Sequence, residues 1–395
     1  MRCLWLTLAD PDPPLNGQSV YSGGLIRSCA RSGAEIDVLG LCQPGGRPRL
    51  DERDGSIRWH IPAGNELPRW SSLATNFPHM ANRCRTPRMR AMLGALLERS
   101  RWDAIVFDSL SAGWALPAIR KHYATSGRVP KIVYISHNHE ASLRKNLAAN
   151  RLGPFVRQAQ RLDALKVTRL ERALVMDSDF VTAITEDDRD RYASEWPHKN
   201  VDVLSPGYSG RSLQERNITG DVPRRAVIVG SFDWIAKRMN LEEFLRVADP
   251  IFAEKGIELQ VVGAGSRTYF NQLQGRLAAT QFTGTVEHVE DYIDSARIAI
   301  LPERIGGGFK LKLLEYVFNR IPVLALKGSV AGAPLLDDSS ILLFSDQAEL
   351  ARGVSRLIDN LGLLNRLQNA AYAACRFAFD WESRGRRLVA ALGSL

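Results

Sequence analysis

One stretch limits the fold more than any other: residues 301–326, LPERIGGGFKLKLLEYVFNRIPVLAL. It reads as a strand end, a turn with three glycines, a helix and a second strand. Gly306, Gly307 and Gly308 let the backbone turn tightly with its N–H groups facing outward. Leu311, Leu314 and Phe318 then fall at helical spacing over 309–319. A glycine turn opening a helix is suited to anions, because unpaired N–H groups meet the positive end of the helix dipole. Lys310 and Lys312 add charge, and Glu315, about one turn on, can accept hydrogen bonds from sugar hydroxyls. Phosphate donors followed by a diol acceptor point to a nucleotide diphosphate. The pattern is neither the dinucleotide fingerprint G-x-G-x-x-G nor the P-loop. The three glycines alone also fit a surface loop before a solvated helix.

The 395 residues exceed what one core usually serves, so two domains of roughly 150–200 residues are expected. Residues 3–9 read as a short apolar strand, followed by a turn at Asn16 and Gly17. Leu25, Ile26 and Cys29 follow at helical spacing, Gly33 fits a C-cap, and 36–41 is a second strand. This is a βαβ unit, which implies a parallel sheet with right-handed crossovers. Further strands are read at 56–61, 103–107, 131–136 and 179–185, with helices at 89–98, 109–123 and 155–176. No clean period marks 68–87. The second half repeats the rhythm of strand, glycine turn and helix, with strands at 226–230, 257–263, 298–301, 321–326 and 340–344. Helices follow at 347–358 and 361–374. The domains are placed at 1–208 and 226–376, joined by a linker at 209–225, with a terminal helix at 377–395.

Composition narrows the setting. Apolar content of 45% and charged content of 24% are ordinary for a soluble protein, and no run of about 18 apolar residues suggests a spanning helix. The first residues are too short an apolar stretch for a signal peptide. Five scattered cysteines without C-x-x-C spacing read as free thiols in a reducing compartment, so a cytoplasmic location is expected, with the inner face of the membrane as a variant. The net charge of +9 is uneven: residues 83–172 hold 18 Arg or Lys against 6 Asp or Glu, a balance of +12. Such a stretch fits nucleic acid, an anionic membrane face or a phosphate-bearing acceptor, and equally arginines on solvated faces.

The strand at 131–136 delivers His137-Asn138-His139-Glu140 at its carboxyl end, where open α/β sheets place ligands. H-x-H lacks a third metal ligand at suitable spacing. Asp177-Ser178-Asp179 spells D-x-D, but its place before a strand reads as a helix-to-strand turn. The helix at 155–176 is basic and amphipathic; it suits its own sheet or an anionic membrane surface.

Taken together, these segments resemble retaining GT-B glycosyltransferases of family 4, also called group 1. The stretch PERIGGGFKLKLLEYVFNRIPVLAL is similar to the family's PxRxGGGxxxKxLExxAxGxPVVAT. Residues 229–244, VGSFDWIAKRMNLEEF, are similar to VGSxDWxPNxxxLxxF, and 282–286 to FTGxV. Residues 206–208 stand where the family has PNGVD, and 379–382 resemble its fsWe segment, which implies that the terminal helix at 377–395 crosses back to complete the first domain. The resemblance implies two Rossmann-like domains with parallel sheets facing a central cleft, the second binding donor and the first acceptor. It implies transfer of a hexose-type sugar, with retention, from a UDP- or GDP-linked donor to a hydroxyl in polysaccharide, glycolipid or glycoconjugate synthesis. His137, Lys237 and Lys312 are the implied catalytic residues. Gly17, Gly230, Lys237, Thr283, Gly284, Gly306, Gly307, Gly308, Phe309, Lys312 and Glu315 are the implied donor contacts. No metal and no cofactor are expected. Three departures stand out: Asn16 replaces the first glycine of a Gly-Gly pair, Ser231 replaces an arginine that Arg238 could supply, and Gly307 replaces a second glutamate. Glu303 is a candidate stand-in for that glutamate. The rival readings are a GT-B nucleotide-sugar 2-epimerase and a non-catalytic protein binding anions or nucleic acid, although no nucleic-acid module is visible.

Overall fold

The computed structural model describes residues 1–124, 129–147, 154–304 and 308–394. The chain divides into two units, Met1–Gly207 with Asp380–Leu395, and Tyr208–Phe379. The run 209–225, read from its composition as a linker, belongs to the second unit, where the Arg216 guanidinium donates to the carbonyls of Ile293, Asp294 and Ala296 at 2.8–3.1 Å.

In the first unit the chain runs β1 (Arg2–Ala9), α1 (Gly17–Arg31), β2 (Glu35–Leu41), β3 (Arg49–Asp54) and β4 (Ile57–Ile61). A 3-10 turn at Arg69–Ala74 leads to α2 (His79–Asn82), α3 (Pro87–Arg99) and β5 (Ala104–Asp108). A second 3-10 turn, Leu110–Ala115, precedes α4 (Leu116–Tyr123), β6 (Lys131–Ile135), α5 (Glu140–Leu147) and α6 (Pro154–Asp177). Then come β7 (Phe180–Ala183), α7 (Glu186–Glu195) and β8 (Val201–Val203). The strands lie in the order β3-β4-β2-β1-β5-β6-β7-β8, parallel except for the antiparallel edge pair β3-β4.

The expected elements differ from the observed ones in three places. Strand β3 has no counterpart in the sequence reading, because RLDERD carries a single large apolar residue. The helix expected over 109–123 is split, since Ser109 sits at φ 73° and Pro117 lies at the start of α4. The stretch 68–87 holds the first 3-10 turn and α2.

The second unit runs β9 (Arg225–Val229), α8 (Ile235–Lys255), β10 (Glu258–Val262), α9 (Arg267–Gln274), β11 (Thr280–Gly284) and α10 (Glu290–Asp294). It continues through β12 (Ile298–Leu301), α11 (Leu311–Phe318), β13 (Val323–Leu326), β14 (Leu342–Phe344), α12 (Gln347–Leu357) and α13 (Leu361–Cys375). All six strands are parallel, in the order β11-β10-β9-β12-β13-β14. Alternation along each strand feeds two cores. Ile228 and Leu259 pack with α8 and α12, while Val227 and Ala299 pack with α11 and α13.

The last helix, α14 (Trp381–Ser394), packs in the first unit against α1. The contact is close because small residues line it. A methyl group on Gly24 would overlap the Trp381 ring, and one on Gly385 would overlap Ser28. Ser28 Oγ donates to the Trp381 carbonyl and accepts from Gly385 N–H at 2.9 Å.

Each sheet reverses its strand order once: between β1 and β5 in the first unit, and between β9 and β12 in the second. Open α/β sheets bind ligands beyond the carboxyl ends of the strands flanking such a reversal. No helix among the described residues is long and apolar enough to cross a membrane.

Candidate active site

The second unit's candidate site grows from three strands that run into glycine: Gly230 and Gly263 follow β9 and β10, and Gly284 closes β11. Gly230 N–H donates to the Val262 carbonyl and Gly263 N–H to the Gly284 carbonyl, both at 2.9 Å. Gly263, at φ 128°, has no room for a side chain, because a methyl there would overlap the Gly230 carbonyl. Glycine is required on both counts. The strand ends therefore lie flush, leaving a floor without side chains.

Helix α11 is fixed to this floor from beneath. The buried Tyr316 hydroxyl accepts from Val229 N–H at 2.7 Å, which brings the first turn of α11 beside Gly230. Lys312 Nζ would lie 3.7 Å from a methyl placed on Gly230. No side chain caps the N-terminus of α11 or of α8. Lys312 forms an ion pair with Glu303, both largely buried. The segment before the glycine run is held on two sides: Arg304 N–H donates to Asn240 Oδ1 at 3.1 Å, and Gln347 Nε2 to the Pro302 carbonyl at 2.9 Å.

Lys312, Lys310 and Lys237 all act on Glu303, and Asp233 also acts on Lys237. Burial pushes Glu303 upward, but Lys312, Lys310 and the hydrogen bond from Lys312 outweigh it, leaving the carboxyl below its usual range. Lys237 and Lys310 are both lowered, first by burial and also by repulsion from Lys312, with Glu303 opposing. Glu303 Oε2 is buried without a hydrogen-bond partner among the described residues. Basic side chains gathered at a strand end can hold a diphosphate through charge-assisted hydrogen bonds.

Glu315 is already engaged. Asn319 Nδ2 donates to Glu315 Oε1 at 2.9 Å, and the carboxyl is raised first by burial and then by nearby Glu290, against hydrogen bonds from Tyr208 and Asn319. Arg238, the candidate replacement at Ser231, donates to the Phe232 carbonyl at 2.6 Å and stacks over Tyr269. Thr283 and Gly284 close β11, Gly308 sits at φ 75°, and the Phe309 ring leans on Phe379 at 5.5 Å. Gly306 and Gly307 lie outside the described residues.

The first unit's half-site lies where β5 and β6 end side by side, with Asp108 paired to Ile135 in register. His137 Nε2 lies 2.6 Å from Asp108 Oδ1, and Trp5 Nε1 donates to Asp108 Oδ2 at 2.9 Å. Asp108 is fully buried, and the Tyr21 ring meets His137 edge-on at 5.1 Å. A buried carboxylate on one ring nitrogen fixes the tautomer and orientation of an imidazole. Asp108 was not foreseen from sequence. Gly17 opens α1 behind Asn16, whose side chain accepts from Ser19 N–H in a reciprocal capping box. The residue that departs from the family's glycine pair is therefore the helix cap.

The neighbouring residues are structural. The largely buried His139 sits 3.4 Å from Glu195, and Glu140 lies at the start of α5, whose first N–H groups donate to Glu171 at 2.8–2.9 Å. Of the D-x-D run, Asp177 pairs with Arg120 and Asp179 accepts from Ile132 N–H at 2.8 Å, as a helix-to-strand turn requires. Among the described residues no group of His, Cys, Asp and Glu could hold a metal ion.

Two family models match in tandem: residues 16–207 match the glycosyl transferase 4-like domain, and residues 223–360 match glycosyl transferases group 1. No curated protein matches the sequence. Among solved structures, sucrose-phosphate synthase from Thermosynechococcus elongatus has a TM-score of 0.74 at 16% identity, covering 100% of this chain and 98% of that one. WaaG, a glycosyltransferase involved in lipopolysaccharide biosynthesis, has a TM-score of 0.68 at 14% identity, covering 99% of each chain. HepE of Anabaena, solved with UDP and glucose, has a TM-score of 0.66 at 13% identity over 100% of both chains. With both halves matched to glycosyltransferase models and both sheets built as in these enzymes, the chain belongs to the GT-B glycosyltransferases.

Proposed function

We propose that this enzyme moves a hexose-type sugar from a UDP- or GDP-linked donor to an acceptor hydroxyl, with retention at the anomeric carbon and without a metal or cofactor. One observation carries the donor assignment: Lys312, paired with buried Glu303, stands beside Gly230 at the strand reversal of the second unit, with Lys237 and Lys310 acting on the same carboxylate. The complex of HepE with UDP supports it by analogy.

In this reading the second unit holds the donor and the first the acceptor. Cleavage of the bond from the anomeric carbon to the β-phosphate oxygen leaves the electron pair on phosphate. Lys237, Lys312 and the N–H groups at 306–309 stabilise that charge. Glu303 is the resting counter-ion of Lys312, which the diphosphate displaces. His137, oriented by Asp108, attends the transferred sugar, and Glu315 takes the ribose hydroxyls. Gly307 leaves no carboxylate there to act as a nucleophile, so transfer proceeds on one face, the departing phosphate accepting the acceptor's proton. The acceptor is a glycan, lipid-linked or protein hydroxyl in polysaccharide or glycoconjugate synthesis, reached by peripheral contact with an anionic membrane.

Thermal-shift screening of UDP- and GDP-sugars tests the donor, since a bound ligand raises stability with its affinity. Lys312→Ala should then cut turnover by several hundredfold, the loss of one such donor costing ~3–4 kcal/mol. Near-normal kcat in that variant would refute the role. Donor consumed and an epimer formed without acceptor would favour the epimerase. DNA binding with a steep salt slope and no donor binding would favour the non-catalytic reading.

A further inference from the structure

We propose that the first unit docks on an anionic phospholipid bilayer through an apolar ridge formed by the 3-10 turn Arg69–Ala74 and the outer face of α6. This deepens the proposed function by naming the surface that makes the contact, and it is measured without turnover.

The ridge follows from local geometry. In a 3-10 helix residues three apart eclipse one another, so Trp70 and Leu73 project together. They are 71% and 57% exposed. Ser72, between them, faces inward, and its carbonyl accepts from the buried Lys166 Nζ of α6 at 2.7 Å. A second tie, His79 N–H to Asp163 Oδ1 at 2.7 Å, fastens the following helix to the same turn of α6. Leu162 and Leu165, one turn and one residue before Lys166, are 42% and 58% exposed. The fold thus gathers four large apolar side chains at the surface from segments about 90 residues apart. Single exposed leucines need no explanation, whereas a gathered set marks a contact surface.

The charge around the ridge selects the occupant. Arg69, Arg161 and Arg169 are exposed beside it. Asp163, the acid nearest the ridge on α6, is occupied by the His79 N–H. An apolar centre with an arginine rim matches an anionic bilayer: indole and leucine enter the acyl boundary while the nearby cations are drawn to the lipid charge. Two copies meeting ridge to ridge would bring like charges together. Nucleic acid would leave the apolar centre unused.

Vesicle flotation tests this. Vesicles of phosphatidylcholine with added phosphatidylglycerol should carry the protein up, pure phosphatidylcholine vesicles should not, and added salt should weaken the binding. Trp70→Ser with Leu73→Ser should lower vesicle affinity at least about tenfold, since both changes remove apolar area that the bilayer buries. Leu162→Ser with Leu165→Ser should act alike. Both variants should keep the wild-type melting temperature and donor-induced thermal shift. The proposal is overturned by absence of flotation, by unchanged binding in both double variants, or by a dimer that they abolish. Flotation without donor binding would sink the glycosyltransferase reading and leave this one standing.

Discussion

Glu303 holds the second half-site together in the absence of donor, because it is the carboxylate that pairs with buried Lys312 while Lys237 and Lys310 press on the same space. Glu303→Gln should therefore lower the stability of the free enzyme by on the order of 3 kcal/mol, as breaking a buried pair does. A nucleoside diphosphate should restore much of it by returning negative charge to the cluster; melting curves with and without UDP decide this. The titrations have defined signs. The Glu303 carboxyl is lowered on folding, so its contribution is complete above the unfolded value of 4.5 and is lost as pH falls through the folded one. Lys237 and Lys310 are lowered from 10.5, so affinity for diphosphate should decline with rising pH before an ordinary lysine would titrate. Binding calorimetry across alkaline pH shows where it begins. In the first unit, Asp108→Asn should reduce kcat by tenfold or more with donor affinity unchanged, because only the histidine's orientation is lost. A fall in donor affinity instead would count against that role. Lys237, Lys312 and His137 were candidates from sequence because each lies in a local run. Asp108 was not, since an aspartate closing a strand reads as a cap for the next turn. Only the pairing of β5 with β6 brings it to His137.

At the scale of elements, close approach does the positioning. Gly230 and Gly263 follow β9 and β10 and Gly284 closes β11, and Gly263 must stay bare because a methyl there would overlap the Gly230 carbonyl. Gly263→Ala should cost at least about 2 kcal/mol, since it adds a clash to a positive φ. The same change should weaken donor binding, whereas Gly94→Ala, on an open helix face, should do neither; paired melting and binding measurements compare them. The strong periods in the sequence gave β9, β10, β12, β13 and α6 nearly to their ends, because fully buried parallel strands read as unbroken apolar runs. The edge strand β3 escaped because its pairing, not its composition, makes it a strand. The 3-10 turn at Arg69–Ala74 escaped for a similar reason: its order comes from Lys166, whose position on a distant helix no local pattern announces.

For the whole molecule, two units with separate cores should melt as separable events in calorimetry. A donor held chiefly by the second unit should stabilise that unit by about 2.7 kcal/mol at a hundredfold excess over Kd and shift the first unit's transition less. Equal shifts of both would show that the first unit holds the donor as firmly. The β-sheet rhythm made both units legible, since each repeats strand, turn and helix. What no rhythm conveyed was that the first unit takes back the helix Trp381–Ser394, whose fit against Gly24 and Ser28 is set by atoms more than 350 residues apart in the chain. This has a consequence in time. On the ribosome the second unit can fold as soon as it emerges, while the first, although made earlier, waits with one flank of α1 uncovered until residues 381–394 have left the exit tunnel.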